Sequence, residues 1–544
     1  MIITSYCTQA TSLVLLLCLI GSPELNAQAR PNVPSKNIWL TDSLYPTSHH
    51  NPAQTDTSPI AGPLASQQLT RADVKTIAAT FISNPTMKHI GQDRIIFMSS
   101  VNGITKVLAT GEAFEQLSFL AYPGFEEVAQ KASATSIAAL VEKLDEARRA
   151  HDDAAILALS AGIDELGFNF NTVANGVYNM IDKDHNHYAV YGGVNVLKST
   201  DDGVVDAPLR IVKTMKITDA LPANIAKGIT RVLGVGMTYD GNIAIAAPGI
   251  VALLDRDLNM KGYVTFPGEL VDNSIAIDES GIYVVTSKNM YKVVWTGEKL
   301  SFDEADGGWV SPYDTMDGEK ALALGALSRG SGTTPALMGF GDDEDKLVLI
   351  ADADENGTKL VAFWRDEIPA GFSQKPGTKS RRIADQIRID VSYLTIEPSP
   401  VVMGYGTVLL NSTLPEPSPT RGDIFGNAMT AGITRIAPRG IQKFNWNPVE
   451  NIFEKSWTDM TVDNTDVMVP HVSSKSKVLY AANKVGLRYE YVGLDWETGA
   501  LKGRWTFPSD SALYNTWGGI GYFLEDGDLI TGGFFAAKRV NFNK

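Results

Sequence analysis

Residues 232–265 read VLGVGMTYDGNIAIAAPGIVALLDRDLNMKGYVT. Four apolar runs, VLGVGMT, NIAIAA, IVALL and KGYVT, are separated by Tyr239-Asp240-Gly241, Pro248-Gly249 and Asp255 to Asn259. Asp-Gly and Pro-Gly between β-rich runs are turn signals, because glycine supplies the positive φ that a tight turn needs. The stretch predicts a four-stranded antiparallel meander.

The unit recurs. Ser274 to Trp295 reads SIAI, a turn at Asp278 to Gly281, IYVVT, a second turn, and MYKVVW. Similar pairs are ALMGFG with KLVLIAD, VVMGYG with TVLLNST, VMVPHV with VLYAANK, and GGIGYFL with DLITGGFF. Two more candidates lie upstream, before RIIFMSS and before YAVYGG. Tryptophan ends the third strand of several units: Trp295, Trp364, Trp446 and Trp496. A large ring at a strand end packs into the gap between neighbouring twisted sheets, so these read as structural.

A sheet this small cannot bury both faces alone. Several arranged radially bury one another and expose only short edges. The expected fold is therefore an all-β, eight-bladed β-propeller, with seven blades as the alternative. The last unit shows three strands before Lys544, so a strand from the N-terminal region is expected to complete it. Phe125 to Leu166 departs from the β pattern. Ile137, Leu140, Val141 and Leu144 fall at i, i+3, i+4 and i+7, one apolar helical stripe. Residues 125–167 are thus a helical insertion between the first two blades.

Leu13 to Ile20 is an apolar run, broken by Gly21 and Pro23 and followed by Ala27-Gln28-Ala29. This reads as a signal peptide over residues 1–29, too short for a bilayer span of ~20 residues. The protein is expected in the periplasm or outside the cell, with no membrane insertion after processing. Both cysteines, Cys7 and Cys18, fall inside that segment, so the processed chain has no thiol chemistry. Residues 30–66 are rich in Pro, Ser, Thr and Asn and read as a disordered leader. Thr70 to Ser83 reads as a short helix. Residues 67–544 form one propeller domain. The net charge of −15 argues against nucleic acid, whose phosphates need clustered Lys and Arg.

Leu494-Asp495-Trp496-Glu497-Thr498-Gly499, with Trp505 after it, resembles the repeat of quinoprotein-like propellers, in which a D-x-x-T-G turn precedes a Trp. Leu254-Asp255-Arg256-Asp257 is a weaker echo. The resemblance covers one blade well and implies the fold rather than an activity. Quinoprotein dehydrogenases typically stack their quinone on a vicinal disulfide. The missing cysteines argue against pyrroloquinoline quinone here.

Inner strands of a propeller ring a central channel, and residues at their starts face its mouth. Val271-Asp272-Asn273-Ser274 and Val462-Asp463-Asn464-Thr465 open two units alike; Thr333-Thr334 and Trp517 open others. Asp272, Asn273, Asp463, Asn464, Thr333, Thr334 and Trp517 are the candidate ligand-binding residues. Asp272 and Asp463 would be the metal ligands if the occupant is a hard cation such as Ca²⁺, which takes oxygen donors. The same residues also fit simple turn caps. His471, in an inner strand, is the general-base candidate. Arg381 and Arg382, in a basic insertion at Pro376 to Asp390, would attract an anionic group. The leading expectation is a polar funnel that binds a small organic ligand, as a hydrolase, a lyase or a binding protein. A non-catalytic envelope scaffold and a divergent quinoprotein oxidoreductase are the alternatives.

Overall fold

The computed structural model describes residues 32–542 except positions 395 and 421. The segment read as a signal peptide, with both cysteines, lies outside the described residues. Eight sheets follow one another along the chain. The meander at residues 232–265 is the third: Gly234–Met237, Ile243–Ala247, Ile250–Leu254 and Met260–Thr265, all antiparallel neighbours. Gly241 holds φ at +82°, and a Cβ there would sit 2.5 Å from the Trp39 ring, so the turn needs glycine twice over.

The cores lie between the sheets. Phe97 of the first sheet packs with Leu197 of the second. Val196 meets Ile243 of the third, and Val251 meets Val293 of the fourth. Val285 meets Val361, Leu360 meets Phe444, and Val408 meets Leu479. Tyr491 of the seventh meets Leu529 of the eighth. Ile530 and Ala537 of the eighth then pack with Met87 and Val107 of the first. Each sheet buries its faces against its two neighbours, and the last meets the first. The ring is closed, and the chain is a β-propeller. The eighth sheet holds Tyr522–Phe523, Leu529–Thr531 and Ala536–Val540, and Val74–Ala78 pairs antiparallel with the last of these as its outer strand. The expected helix over Thr70 to Ser83 is therefore corrected. Asp73 does bond the Thr70 amide and hydroxyl, at 2.7 Å each, but the chain extends immediately afterwards.

The strand-end tryptophans pack as expected. Trp364 and Trp446 meet edge to face at 5.9 Å. A Cβ on Gly262 of the third sheet would meet Trp295 at 3.4 Å, and one on Gly406 of the sixth would clash with Trp496. In the D-x-x-T-G turn, Asp495 Oδ1 accepts from the amides of Glu497 (3.1 Å) and Thr498 (2.9 Å). These bonds and Lys502 hold the Asp495 carboxyl down to about 2, against its partial burial.

Over its described residues, 32–66, the leader is not disordered, and this is the largest correction. It runs through the ring's axis and bonds the innermost strand of every sheet. Pro52 O accepts from Ile277 N (2.8 Å), Ala53 O from Leu337 N (3.0 Å), Thr55 O from Val402 N (2.9 Å) and Asp56 O from Val472 N (3.0 Å). Tyr45 O accepts from Met87 N (2.8 Å), and Thr41 N donates to Ile181 O (3.0 Å). Asn37 Nδ2 donates to Met237 O (2.9 Å), and Tyr45 Oη to Phe523 O (2.6 Å). The inner strands are sheet edges with free amides. The segment satisfies them with its carbonyls, and its prolines remove competing donors.

Between the first and second sheets the chain forms helices Glu126–Lys131, Ala134–Arg149, Asp153–Ala158 and Ser160–Glu165. Ser133 caps the second by accepting from Ser136 N at 3.1 Å. Its stripe of Ile137, Leu140, Val141 and Leu144 is buried in one cluster with Phe425, Trp517 and Phe534. Phe425 lies on the short helix Ile424–Thr430. These helices roof the end of the axis opposite the leader's entry.

Candidate functional site

Between the leader below and the helices above lies a cavity of ≈ 200 Å³. Its wall is built from the starts of inner strands and the turns leading into them. Asp272 and Asn273 enter the fourth sheet, Glu397 the sixth, and Trp517 the eighth. Phe170 and Leu327, 44% and 38% exposed, line the same cavity and mark its opening to solvent. A smaller pocket of ≈ 50 Å³ adjoins it, sharing Leu327, Glu397, Ile424, Val467 and Trp517.

The floor is His49. Its Nδ1 lies 2.8 Å from Asp56 Oδ2, and both side chains are almost fully enclosed. The ring stacks on Tyr178 at 6.2 Å. With the Asp56 carboxylate accepting at Nδ1, the remaining nitrogen, Nε2, is left as an acceptor at the cavity floor. The backbone here is unusual. His49, His50, Gln54 and Asp56 all have positive φ (55°, 70°, 60° and 53°). Four left-handed non-glycine residues in eight positions are costly, and such strain persists only where surrounding structure over-determines it. Here the bonds to the inner strands supply that constraint.

Among the described residues the wall carries two acidic side chains, Asp272 and Glu397, and one cation, Arg231. Arg231 Nη2 lies 3.5 Å from Asp272 Oδ1, and its guanidinium sits 5.7 Å from the Phe170 ring centre. Asp272 Oδ2 also accepts from Arg329 N at 2.9 Å. Glu397 is partly buried. Its Oε2 accepts from Ser328 Oγ at 3.1 Å, while its Oε1 is enclosed and has no hydrogen-bond partner. Burial, aided by the charge of Asp272, pushes the Glu397 carboxyl up to about 8.

The expected ligand residues divide. Asp272, Asn273 and Trp517 line the cavity. Trp517 is held by stacking on Phe534 at 4.9 Å. Asn273 Oδ1 accepts from Tyr178 Oη, from Thr334 Oγ1 (3.1 Å) and from Ser274 N (2.8 Å). Thr334 therefore positions Asn273, and Thr333 is enclosed behind it, accepting from Ala351 N at 3.2 Å. Asp463 and Asn464 lie outside the cavity lining. Asp463 Oδ1 accepts from Thr465 N (2.9 Å) and Oγ1 (2.5 Å), and Asn464 Nδ2 donates to Gly440 O (2.9 Å). They are turn caps. Asp272 and Asp463 do not share a site, and among the described residues no three His, Cys, Asp or Glu side chains converge as metal ligands. The donor set does not fit the expected Ca²⁺ site.

His471 is corrected from general base to core residue. It is fully buried, stacks on Tyr480 at 5.6 Å and meets Phe523 at 4.9 Å. Neither ring nitrogen has a partner, and burial holds its pKa far below the ordinary value, so it stays neutral. Arg381 and Arg382 sit away from the cavity. Arg381 Nε donates to Phe372 O (2.7 Å), and Arg382 Nη1 to Trp364 O (3.2 Å) with its guanidinium 5.0 Å from the Trp309 ring centre. Part of their supposed insertion is the fifth sheet's outer strand, Ile383–Arg388.

The residues missed from sequence are His49, Asp56, Tyr178, Arg231 and Glu397. One signal for the first was present: two of only seven histidines stand side by side at 49 and 50.

No family model matches the chain. It is 33% identical over 289 residues to an uncharacterized protein of Archaeoglobus fulgidus, a match covering 49% of this chain and 53% of that one. The chain thus spans about half the length of this curated relative. Among solved structures it is similar to a quinohemoprotein alcohol dehydrogenase from Pseudomonas putida HK5 (9% identity, 95% of this chain, 84% of that one, TM-score 0.48). It is also similar to a europium-containing methanol dehydrogenase (9%, 90% and 90%, 0.46) and to BamB from Moraxella catarrhalis (12%, 58% and 71%, 0.32). The likeness is one of fold. Pyrroloquinoline quinone, a tricarboxylate, does not fit the cavity: Arg231, the cation of its described lining, already faces Asp272, and no second Lys or Arg among the described residues lines it.

Proposed function

We propose that this chain is an exported propeller of eight blades that holds a small organic molecule in the capped axial cavity, above His49. The observation that carries this reading is the His49–Asp56 pair at the cavity floor. A buried carboxylate behind an imidazole fixes the ring's tautomer and orientation and leaves its far nitrogen to take a proton. His49 would act as general base on the bound molecule or on a water beside it, the opening step of a hydrolase or a lyase. Tyr178, Asn273 and Thr334 would hold the wall rigid.

The cavity's composition supports a small ligand, since such sites are mostly apolar with a few convergent polar groups. Phe81, Val177, Ile424 and Trp517 supply the apolar part, and Asp272, Glu397 and His49 the polar part. Export rests on the apolar run Leu13 to Ile20 and the small residues after it. Among the described residues no helix is long and apolar enough to cross a membrane.

The test is a thermal-shift screen of small amines, alcohols, esters and acids on the wild type and on Ala174→Phe, which fills the cavity. The proposal expects at least one class to raise the wild-type Tm and leave the filled variant unmoved. Equal shifts in both proteins, or no shift with any class, would reject it.

A further inference from the structure

Resting on the reading of this cavity as a ligand site, we propose that its ligand is an organic cation: a primary or secondary amine whose ammonium sits on Glu397 and whose apolar body lies against Trp517, Phe81 and Phe170.

Three observations carry the assignment. The first is the unclaimed oxygen. Glu397 Oε1 is enclosed without a partner, although Oε2 is bonded to Ser328. A buried acceptor left unpaired costs roughly 1–3 kcal/mol, so a donor arriving there gains what the apo site forfeits. The second is the disposition of charge. Asp272 faces Arg231 and the Arg329 amide, while Glu397 makes no ion pair among the described residues. An anionic ligand would find Arg231, the cation of the described lining, already engaged by Asp272. The third is the wall. Phe81 and Trp517 lie 5.5 Å apart at a tilt, and Phe170 stands across the opening. Aromatic faces attract ammonium groups through their quadrupole. Arg231 already uses the Phe170 ring in this way.

Size narrows the class. A cavity of about 150 Å³ holds benzene. The ≈ 200 Å³ here therefore suits one ring with a short chain, or an aliphatic amine of similar bulk.

The ammonium also predicts a proton count. Burial keeps the Glu397 carboxyl protonated at neutral pH, and an ammonium beside it would drive the proton off. The other titratable groups facing the cavity are Asp272, Arg231, His49 and Tyr178. The first two face each other and His49 is tied to Asp56.

The experiment is isothermal calorimetry at pH 6.5 in two buffers of different ionisation enthalpy. The probes are phenethylamine, 2-phenylethanol and 3-phenylpropionate, on the wild type, Glu397→Gln and Ala174→Phe. The proposal expects phenethylamine to bind most tightly and to release close to one proton. It expects Glu397→Gln, which keeps the neutral shape, to weaken the amine roughly 10- to 100-fold and abolish the release, while leaving the alcohol within about threefold. Tighter binding of the alcohol or the acid, with loss in Ala174→Phe, would overturn the amine and keep the cavity site. Amine binding untouched by Glu397→Gln would also overturn it. No binding by any probe, or binding unchanged in Ala174→Phe, would remove the cavity reading and this assignment with it.

Discussion

Nδ1 of His49 lies 2.8 Å from Oδ2 of Asp56, across a loop in which both residues hold positive φ. The pair is enclosed, so neither partner can turn to water if the other is removed. Asp56→Ala is expected to cost about 2–4 kcal/mol, because it strips a buried imidazole of its partner and loosens the segment that bonds the inner strands. Urea unfolding followed by fluorescence measures this. A midpoint equal to the wild type's would show the pair to be idle.

Glu397 makes stability depend on pH in a defined direction. Its carboxyl is raised from an ordinary 4.5 to about 8 in the folded protein. Between those values the folded state holds a proton that the unfolded state has lost. Stability from this group is therefore full below 4.5, falls as pH rises to 8, and is flat above. Glu397→Gln cannot titrate. It should match the wild type near pH 4.5 and exceed it by about 1–3 kcal/mol at pH 8. Thermal melts across that range check the sign, and a variant less stable at pH 8 would contradict it.

His471 acts in the opposite direction. The buried ring refuses a proton that the unfolded chain accepts below its ordinary 6.5. Stability is present above 6.5 and is lost as pH falls. His187, held down to about 3 by burial, adds to the same acid sensitivity. His471→Phe should remove its share, gaining about 2 kcal/mol relative to wild type at pH 5 and little at pH 8. It should leave ligand binding unchanged, since the ring packs outside the cavity lining.

Tyr45 ties the leader to the eighth sheet. Its hydroxyl bonds Ser58 Oγ and Phe523 O at 2.6 Å each, while its ring stacks on Tyr522 at 4.0 Å. Tyr45→Phe keeps the stack and loses the bonds. About 1–3 kcal/mol should go, read as a lower urea midpoint with an unchanged slope.

Local chemistry made the propeller legible. Asp240-Gly241 and Pro248-Gly249 announce their turns, and the stripe from Ile137 to Leu144 announces its helix. The need for a strand from the N-terminal region follows from counting the last sheet. The leader was illegible because nothing within it is periodic: its partners are inner-strand amides hundreds of residues away, such as Ile277 and Val402. Thr70 and Asp73 carry a helix-start pattern, but edge pairing with Ala536–Val540 overrides it. Asp272 and Asp463 sit in matching sequence contexts, yet only the first faces the cavity, because side-chain direction at a strand entry depends on the connection before it. Glu397 follows Ile396 and precedes Pro398 in a stretch with no motif; only its missing partner marks it.

The central claim is that the N-terminal segment fills the ring's axis and floors the site with His49. Hydrogen exchange by mass spectrometry on peptides covering residues 40–58, and on those containing Ile277, Leu337, Val402 and Val472, tests it most directly. The account predicts protection in all of them that is lost only with global unfolding. Exchange of residues 40–58 within seconds, as in a free peptide, would contradict it.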